Sequence, residues 1–295
     1  EKVILRYFEF SRPNSLEEAL SVLSQNPGEV RPLAGGTDLI EQVKQGRHEP
    51  KIVMDLKNIP ELCKLDWDPK EGLRIGAATS CSQVYQNQIV RTHFPAIVDA
   101  GMLIGSIQIQ NRAAIGANVC NAAPSGDTIP ALLIYDTKAM IIGPRGSREV
   151  PLEEFFLGPG RTVLEEDEIL MELMVPTPDP RSYSSYLRFI PREEMDIAVV
   201  GVGSMVSLAE NGTCSTARVA LASVAPTPVR AFHAETVLTG NRPTKFLIEE
   251  AAQNAVLDSS PISDVRGNAE YRKNLVRVLT RRTLTNCFAA LGQTL

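Results

Sequence analysis

The chain has 295 residues, 43% of them apolar and 22% charged, with a formal net charge of −5. That length and apolar content allow one large domain or two to three smaller ones with real cores, and they exclude a disordered tail. The acidic balance and lack of basic clusters argue against a nucleic-acid protein, because neutralising phosphates needs concentrated Lys and Arg. No apolar run approaches the roughly 18 residues of a membrane span.

The first segment reads β-α-β-β. Glu1-Lys-Val-Ile-Leu-Arg-Tyr-Phe8 is strand-like and lacks the apolar h-region of a signal peptide. Ser15-Leu-Glu-Glu18 has the pattern of a capping box. Leu16, Ala19, Leu20 and Leu23 then recur at helical spacing, and the helix ends near Asn26-Pro-Gly28. Val30 to Leu33 reads as a short strand that exits into Ala34-Gly-Gly-Thr-Asp38. Lys51 to Leu56 alternates poorly, as a strand buried on both faces does.

The second segment begins after Pro60. Leu73 to Ala77 is strand-like, and Ser80 with Gln83 has the spacing to cap a helix through Val84 and Tyr85. Pro95 to Ile104 reads as a mostly buried helix, followed by a loop that reaches Asn111-Arg-Ala-Ala-Ile-Gly-Ala-Asn-Val-Cys-Asn121. Asp127 precedes the helical run Ile129 to Ile134, where it can cap the helix and complement its dipole. Lys138 to Ile142 and Ile169 to Val175 read as strands, and Glu165-Glu-Asp-Glu168 as a solvated turn.

Three prolines in Pro176-Thr-Pro-Asp-Pro180 mark a boundary, because none of them can continue a regular element. Strands are expected at Tyr186 to Phe189, Ala198 to Leu208 and Ser215 to Ala222, with Asn211-Gly212 as a hairpin turn. Helices follow at Phe246 to Leu257 and Ala269 to Ala290. In the last, Leu275, Val278, Leu279 and Leu284 lie near one face, with Arg272, Lys273, Arg281 and Arg282 solvated. The order of elements is that of an α+β protein with a β-containing C-terminal domain.

The two glycine-bearing stretches carry the chemistry. A Gly pair lets the backbone turn tightly and leaves its amides uncovered. Successive bare amides form a nest for an anion, commonly a phosphate. Two such stretches can grip a pyrophosphate from both sides, which points to a dinucleotide cofactor; a tight turn after a strand is the plainer reading of either alone. Neither reads G-x-G-x-x-G, and the phosphate-loop Lys is missing. The five cysteines are scattered, with no C-x-x-C pair, which disfavours a disulfide framework, a structural zinc or an iron–sulfur cluster and points to a reducing compartment. His48, His93 and His233 have no ligand spacing and read as surface or packing residues. No metal site, nucleophile triad or acid–base pair is visible, so no residue is assigned a catalytic role.

Ala34-Gly-Gly-Thr-Asp38, Ile75-Gly-Ala-Ala-Thr79, Arg112-Ala-Ala-Ile-Gly-Ala-Asn118 and Ala123-Pro-Ser-Gly-Asp-Thr-Ile-Pro-Ala-Leu132 occur in this order. With Arg188…Asp196-Ile-Ala-Val199 and Arg266-Gly…Ala-Glu-Tyr-Arg272, they make the chain resemble, over essentially its whole length, the FAD-binding medium subunit of molybdenum hydroxylases. That group includes the flavoproteins of carbon monoxide dehydrogenase and bacterial xanthine dehydrogenase. The resemblance implies a two-part FAD-binding domain of the vanillyl-alcohol-oxidase-like (PCMH-type) fold, residues 1–57 and 58–175, and an α+β C-terminal domain, 176–295. It implies non-covalent FAD, with molybdopterin and [2Fe-2S] clusters only in partner chains: a small iron–sulfur subunit and a large molybdenum-cofactor subunit, assembled as a dimer of heterotrimers in the cytoplasm.

Carried over residue by residue, the resemblance puts Leu33, Ala34, Gly35, Gly36, Thr37 and Asp38 on one side of the cofactor. Ala114, Ile115, Gly116, Ala117, Asn118 and Asn121 lie on the other. Relatives usually have Gly-Gly-Asn where this chain has Gly116-Ala117-Asn118; the added methyl is tolerable if φ at Ala117 is negative. Asp127 is implied at the ribose or adenine side, with a helix N-cap as the alternative. Leu170 is implied near the flavin, or belongs to a strand core. Arg188 is implied near the isoalloxazine, or pairs with Asp196 or a nearby Glu. The implied role is electron transfer from partner clusters through FAD to NAD, a quinone or oxygen. A self-sufficient FAD oxidase or dehydrogenase and a non-catalytic nucleotide-binding scaffold are the alternatives.

Overall fold

Parallel pairing opens the fold. In the computed structural model, which describes residues 7–192 and 195–293, β1 (Glu9–Ser11) and β2 (Val30–Leu33) both lie parallel to β3 (Ile52–Asp55), in the order β1-β3-β2. Parallel neighbours need crossovers, supplied by α1 (Leu16–Gln25) and α2 (Leu39–Lys44). Leu16, Ala19 and Leu23 of α1 pack on Val30 and Met54. Ser15 accepts the Glu18 amide at 3.2 Å, but Glu18 answers the Asn14 amide at 2.7 Å, so the expected reciprocal box is displaced by one residue. The segment is β-α-β-α-β rather than β-α-β-β. Helix α2 has six residues, none of them buried, too short a run for Leu39, Ile40 and Val43 to establish a helical period. Most of the strand expected over Glu1–Phe8 lies outside the described residues; β1 starts at Glu9.

The second sheet is antiparallel. It comprises β4 (Leu65–Asp68), β5 (Gly72–Gly76), β6 (Lys138–Gly143), β7 (Gly146–Pro151) and β10 (Ile169–Val175), ordered β4-β5-β10-β6-β7; β8 (Phe156–Gly158) and β9 (Arg161–Thr162) form a separate hairpin. Between β5 and β6 lie α3 (Cys81–Gln86), α4 (Gln88–His93), α5 (Pro95–Met102), α6 (Ile107–Gln110), α7 (Ile115–Asn121) and α8 (Thr128–Leu133). The Ser80–Gln83 capping box of α3 forms in both directions. The Glu165–Glu168 turn is solvated only in part. The Glu168 side chain is 7% exposed and receives two hydrogen bonds from Arg148, at 2.9 and 2.7 Å, while Arg145 reaches Glu165 and Asp167.

The C-terminal sheet has the order β11 (Ser182–Phe189), β12 (Val200–Leu208), β13 (Cys214–Ala222) and β14 (Val229–Arg230), all antiparallel. Every residue of β12 is buried. One face is covered by α11 (Ala269–Ala290), which follows α9 (Phe232–Leu238) and α10 (Lys245–Ala255). Helix α8 approaches this sheet too, so closely that a Cβ at Gly203 would lie 3.0 Å from the Pro130 carbonyl oxygen. Arg272 is not solvated as expected. It is 4% exposed, donates to the Val199 and Ser223 carbonyls at 2.8 and 3.0 Å, and pairs with Asp264 at 2.7 Å. On α11, Val276 rather than Val278 is fully buried. The core around the second sheet runs on without a break into Tyr186, Met205 and Ala220 of the third. No helix of the described residues is long and apolar enough to cross a membrane.

Candidate functional site

The two glycine-bearing stretches, far apart in sequence, meet. Leu33 ends β2 in the core at 8% exposure, and the chain turns through half-buried Ala34 to Thr37. A Cβ on Gly35 would lie 2.2 Å from the Arg112 carbonyl oxygen and 2.8 Å from the Ala113 Cα, so only hydrogen fits between the two backbones. Gly36 has φ +75°, a left-handed turn that glycine adopts without strain. The amides of Gly35, Gly36, Thr37 and Asp38 have no partner among the described residues. Asp38 is exposed as a residue, yet desolvation by the atoms around its carboxyl raises its pKa. Asp38 stands at the N-terminus of α2 without capping it.

The second stretch is not a loop throughout: from Ile115 to Asn121 it is helix α7. Glycine and asparagine are poor helix formers, which hides the helix from propensity. Ala114 pairs with Ser80 in an isolated bridge, and Ile115 donates its amide to the Thr79 carbonyl at 3.2 Å, which pins the helix start to β5's exit. Gly116 packs on that exit: its Cβ would meet the Ala77 Cα at 2.5 Å. Ala117 lies inside the helix and has no positive φ, so its methyl brings no backbone strain. The Gly116 and Ala117 amides have no backbone partner among the described residues. Asn118 accepts from Thr128 Oγ1 at 2.7 Å. Asn121 ties α7 to the first stretch, donating to Asp38 at 3.4 Å and accepting from Gln42 at 3.1 Å.

Asp127 faces the C-terminal sheet. Its two oxygens accept from Tyr186 Oη at 2.6 Å and from Arg188 Nη1 at 2.5 Å. It stands before α8 with a helical backbone and makes no side-chain cap, so the N-cap alternative is not what the structure shows. The alternative pairing of Arg188 with Asp196 is not what the structure shows: Asp196 pairs with Arg192, at 3.0 Å, and Arg188 with Asp127, while Glu193 and Glu194 lie outside the described residues. Burial raises the Asp127 carboxyl, while the Arg188 charge and the two hydrogen bonds pull it the other way. Burial and the Asp127 charge push the Tyr186 phenol well above its ordinary value, which keeps it a donor. The Arg188 side chain is 6% exposed, and its Nε has no partner among the described residues. Leu170 is 2% exposed within the core around the second sheet, beside a bulge in the pairing of β10 with β6. Tyr186, Gln42 and Lys57, whose ammonium donates to the Ala34 carbonyl at 2.8 Å, escaped the sequence reading; no local pattern marks them.

The chain matches the family model described as the FAD binding domain in molybdopterin dehydrogenase over residues 6–178. The chain belongs to the FAD-binding subunits of the molybdenum hydroxylases. Residues 185–287 match the model described as the CO dehydrogenase flavoprotein C-terminal domain. The subunit is 36% identical to the xanthine dehydrogenase FAD-binding subunit of Escherichia coli O157:H7, over 96% of this chain and 97% of that one. It is 31% identical to the carbon monoxide dehydrogenase medium chain of Hydrogenophaga pseudoflava, covering 96% and 97% of the two. A solved carbon monoxide dehydrogenase from that organism, lacking the Mo-pyranopterin moiety of its cofactor, superposes with a TM-score of 0.93 at 31% identity, over 97% of this chain and 99% of that one. These likenesses establish the expected α+β fold, with its PCMH-type flavin domain and α+β C-terminal domain. The subunit is thus an FAD-binding electron-transfer component of a multi-subunit oxidoreductase of the molybdenum-hydroxylase type.

The residues present fit such a cofactor. Bare amides occur in two segments that meet where Gly35 lies against the Arg112–Ala113 backbone, an approach that admits no side chain at Gly35. Among the described residues no group of His, Cys, Asp and Glu could hold a metal ion, and the five cysteines are free thiols.

Proposed function

We propose that this subunit holds one FAD non-covalently and relays electrons from the [2Fe-2S] clusters of a small partner chain, fed by a large molybdopterin-bearing chain, to NAD, a quinone or oxygen. One observation carries the reading: Gly35 lies against the Arg112–Ala113 backbone, so unpartnered amides of both stretches share one place. FAD supplies exchange between one-electron carriers and two-electron acceptors.

The chain's own part is binding and orientation. The amides of Gly35 to Asp38, together with those of Gly116 and Ala117, hold the pyrophosphate. Asn118, Asn121, Thr37 and Asp38 offer polar atoms to the sugar and ribityl hydroxyls, with Leu33, Ala34, Ala114 and Ile115 forming the apolar backing. Leu170 backs the flavin side from the core. Asp127 orients Arg188, whose cation favours negative charge on the flavin ring in a water-poor setting. The names of the relatives, one a subunit and one a medium chain, support partner chains; a dimer of heterotrimers is the assembly proposed. Five free thiols support a reducing, cytoplasmic setting. The domain limits 1–57, 58–175 and 176–295 follow the same reading.

The test compares the isolated subunit with the reconstituted complex. Acid denaturation is expected to release all of the flavin. Xanthine, aldehydes and carbon monoxide are expected to give no turnover with the isolated chain and an artificial acceptor, while NADH slowly bleaches its flavin. Flavin that stays attached, or hydroxylase turnover by the isolated chain, would overturn the reading in favour of a covalent or self-sufficient oxidase. Sizing coupled to subunit mass tests the assembly.

A further inference from the structure

Lys57 sits just beyond β3, and strand register brings it beside the first glycine stretch. Asp55 pairs with Leu33, and the Leu56 amide donates to the Leu33 carbonyl at 3.0 Å. The Lys57 ammonium donates to the Ala34 carbonyl at 2.8 Å and to Asp55 Oδ1 at 2.5 Å. Its side chain is 27% exposed and that of Asp55 only 9%. Asp55 also accepts the Lys57 amide at 3.0 Å, and Arg12 lies 4.0 Å away. Burial alone would raise the Asp55 carboxyl, but the Lys57 hydrogen bonds and the two cations outweigh it and hold it below its ordinary value.

A trans peptide points its C=O and N–H in opposite directions, and no described peptide is cis. Fixing the Ala34 carbonyl on Lys57 therefore turns the Gly35 N–H the other way. That N–H belongs to the run of unpartnered amides. Two of the ammonium's three donors are spent on protein acceptors, and Asp55 offsets its charge, so Lys57 acts through the backbone.

We infer that Lys57 is a positioning residue for a diphosphate ligand: by holding the Ala34 carbonyl, it aims the Gly35 amide at the anion. This rests on the phosphate-grip reading of the glycine stretches proposed above.

The experiment titrates the deflavinated full chain with FAD and, separately, with riboflavin, which lacks the diphosphate. The variants are Lys57→Met, Lys57→Arg, Asp55→Asn and the double Lys57→Met/Asp55→Asn. The double variant removes the buried carboxylate that Lys57→Met would strand, so its fold stays near the parent while the Ala34 carbonyl still lacks its donor. FAD affinity is expected to fall about tenfold in both Lys57→Met proteins, the size of one well-aimed hydrogen bond to a charged group. Lys57→Arg should recover most of it, and riboflavin should bind as it does to the parent. Parent-like FAD affinity in the double variant overturns the inference. So does equal weakening of riboflavin, which would mark a general loss of structure. Tighter FAD binding by Asp55→Asn also overturns it, because Lys57 would then be acting as a bare charge. Gly35→Ala separates the two levels: normal FAD affinity there defeats the phosphate-grip reading itself, whereas its loss beside a normal double variant defeats only the role of Lys57.

Discussion

Asp127 joins two parts of the chain through one carboxylate. Sequence alone gave it two possible jobs, a helix cap or a cofactor ligand, and the structure adds a third: it binds Tyr186 and Arg188 across the flavin and C-terminal regions. Both partners of the Arg188 pair are nearly out of water, at 6% and 11% exposure. Removing one charge from such a pair leaves the other stranded, which costs about 3–5 kcal/mol. Asp127→Asn is therefore expected to destabilise the apoprotein by about that much in denaturant unfolding, and Asp127→Leu/Arg188→Leu to recover a large part of the loss. A loss below about 1 kcal/mol for Asp127→Asn would place the pair with ordinary surface ion pairs and contradict its burial.

Capping and charge patterns were legible at the scale of elements, though their partners were not. The Ser80–Gln83 box forms as read, because both partners lie within one turn. The box at Ser15 shifts to Asn14, one residue away. The acidic run at 165–168 looked solvated, because nothing local marks Glu168 as different from its neighbours. Its partner Arg148 comes from the neighbouring hairpin β6–β7. The Arg148 hydrogen bonds, chiefly, hold the Glu168 carboxyl below its usual value of 4.5. A depressed acid adds stability that is fully present above the unfolded value and is lost as the pH falls through the folded one. Glu168→Gln is expected to cost about 1 kcal/mol near neutral pH, discounted because Arg148 is half in water. The gap between parent and variant should close as urea unfolding is repeated below about pH 4. A gap that is constant with pH would show that the carboxylate's charge is not involved.

The whole molecule is coupled through its interior. The core of the second sheet continues into β11, β12 and β13, and polar ties cross the same seam: Asp99 accepts the Tyr186 amide at 3.1 Å, and Ser184 accepts the Ala96 amide at 3.1 Å while hydrogen-bonding Tyr135. Arg218 and Arg230 both reach Asp136. A shared core cannot open on one side without exposing the other. Heat is therefore expected to unfold the apoprotein in one calorimetric transition, with matching calorimetric and van't Hoff enthalpies. A nick in the segment 176–181 should leave the fragments together on gel filtration. Two separate transitions, or fragments that part, would show that the halves are independent domains.

The sequence by itself determined the α+β class, the family, the two glycine-bearing stretches and most long elements, because these rest on neighbours a few residues apart and on an ordered set of motifs. Ala117 also came out as the sequence allowed, since a helical φ accepts a methyl. The short helices α2, α6 and α7 were invisible, being too brief to show a period. Only the tertiary structure decided that Gly35 must lack a side chain because Arg112 lies against it, that Asp127 serves Tyr186 and Arg188, and that Lys57 grips Ala34. Those are contacts between segments distant along the chain, and their geometry is fixed by how sheets and helices pack rather than by any local pattern of residues.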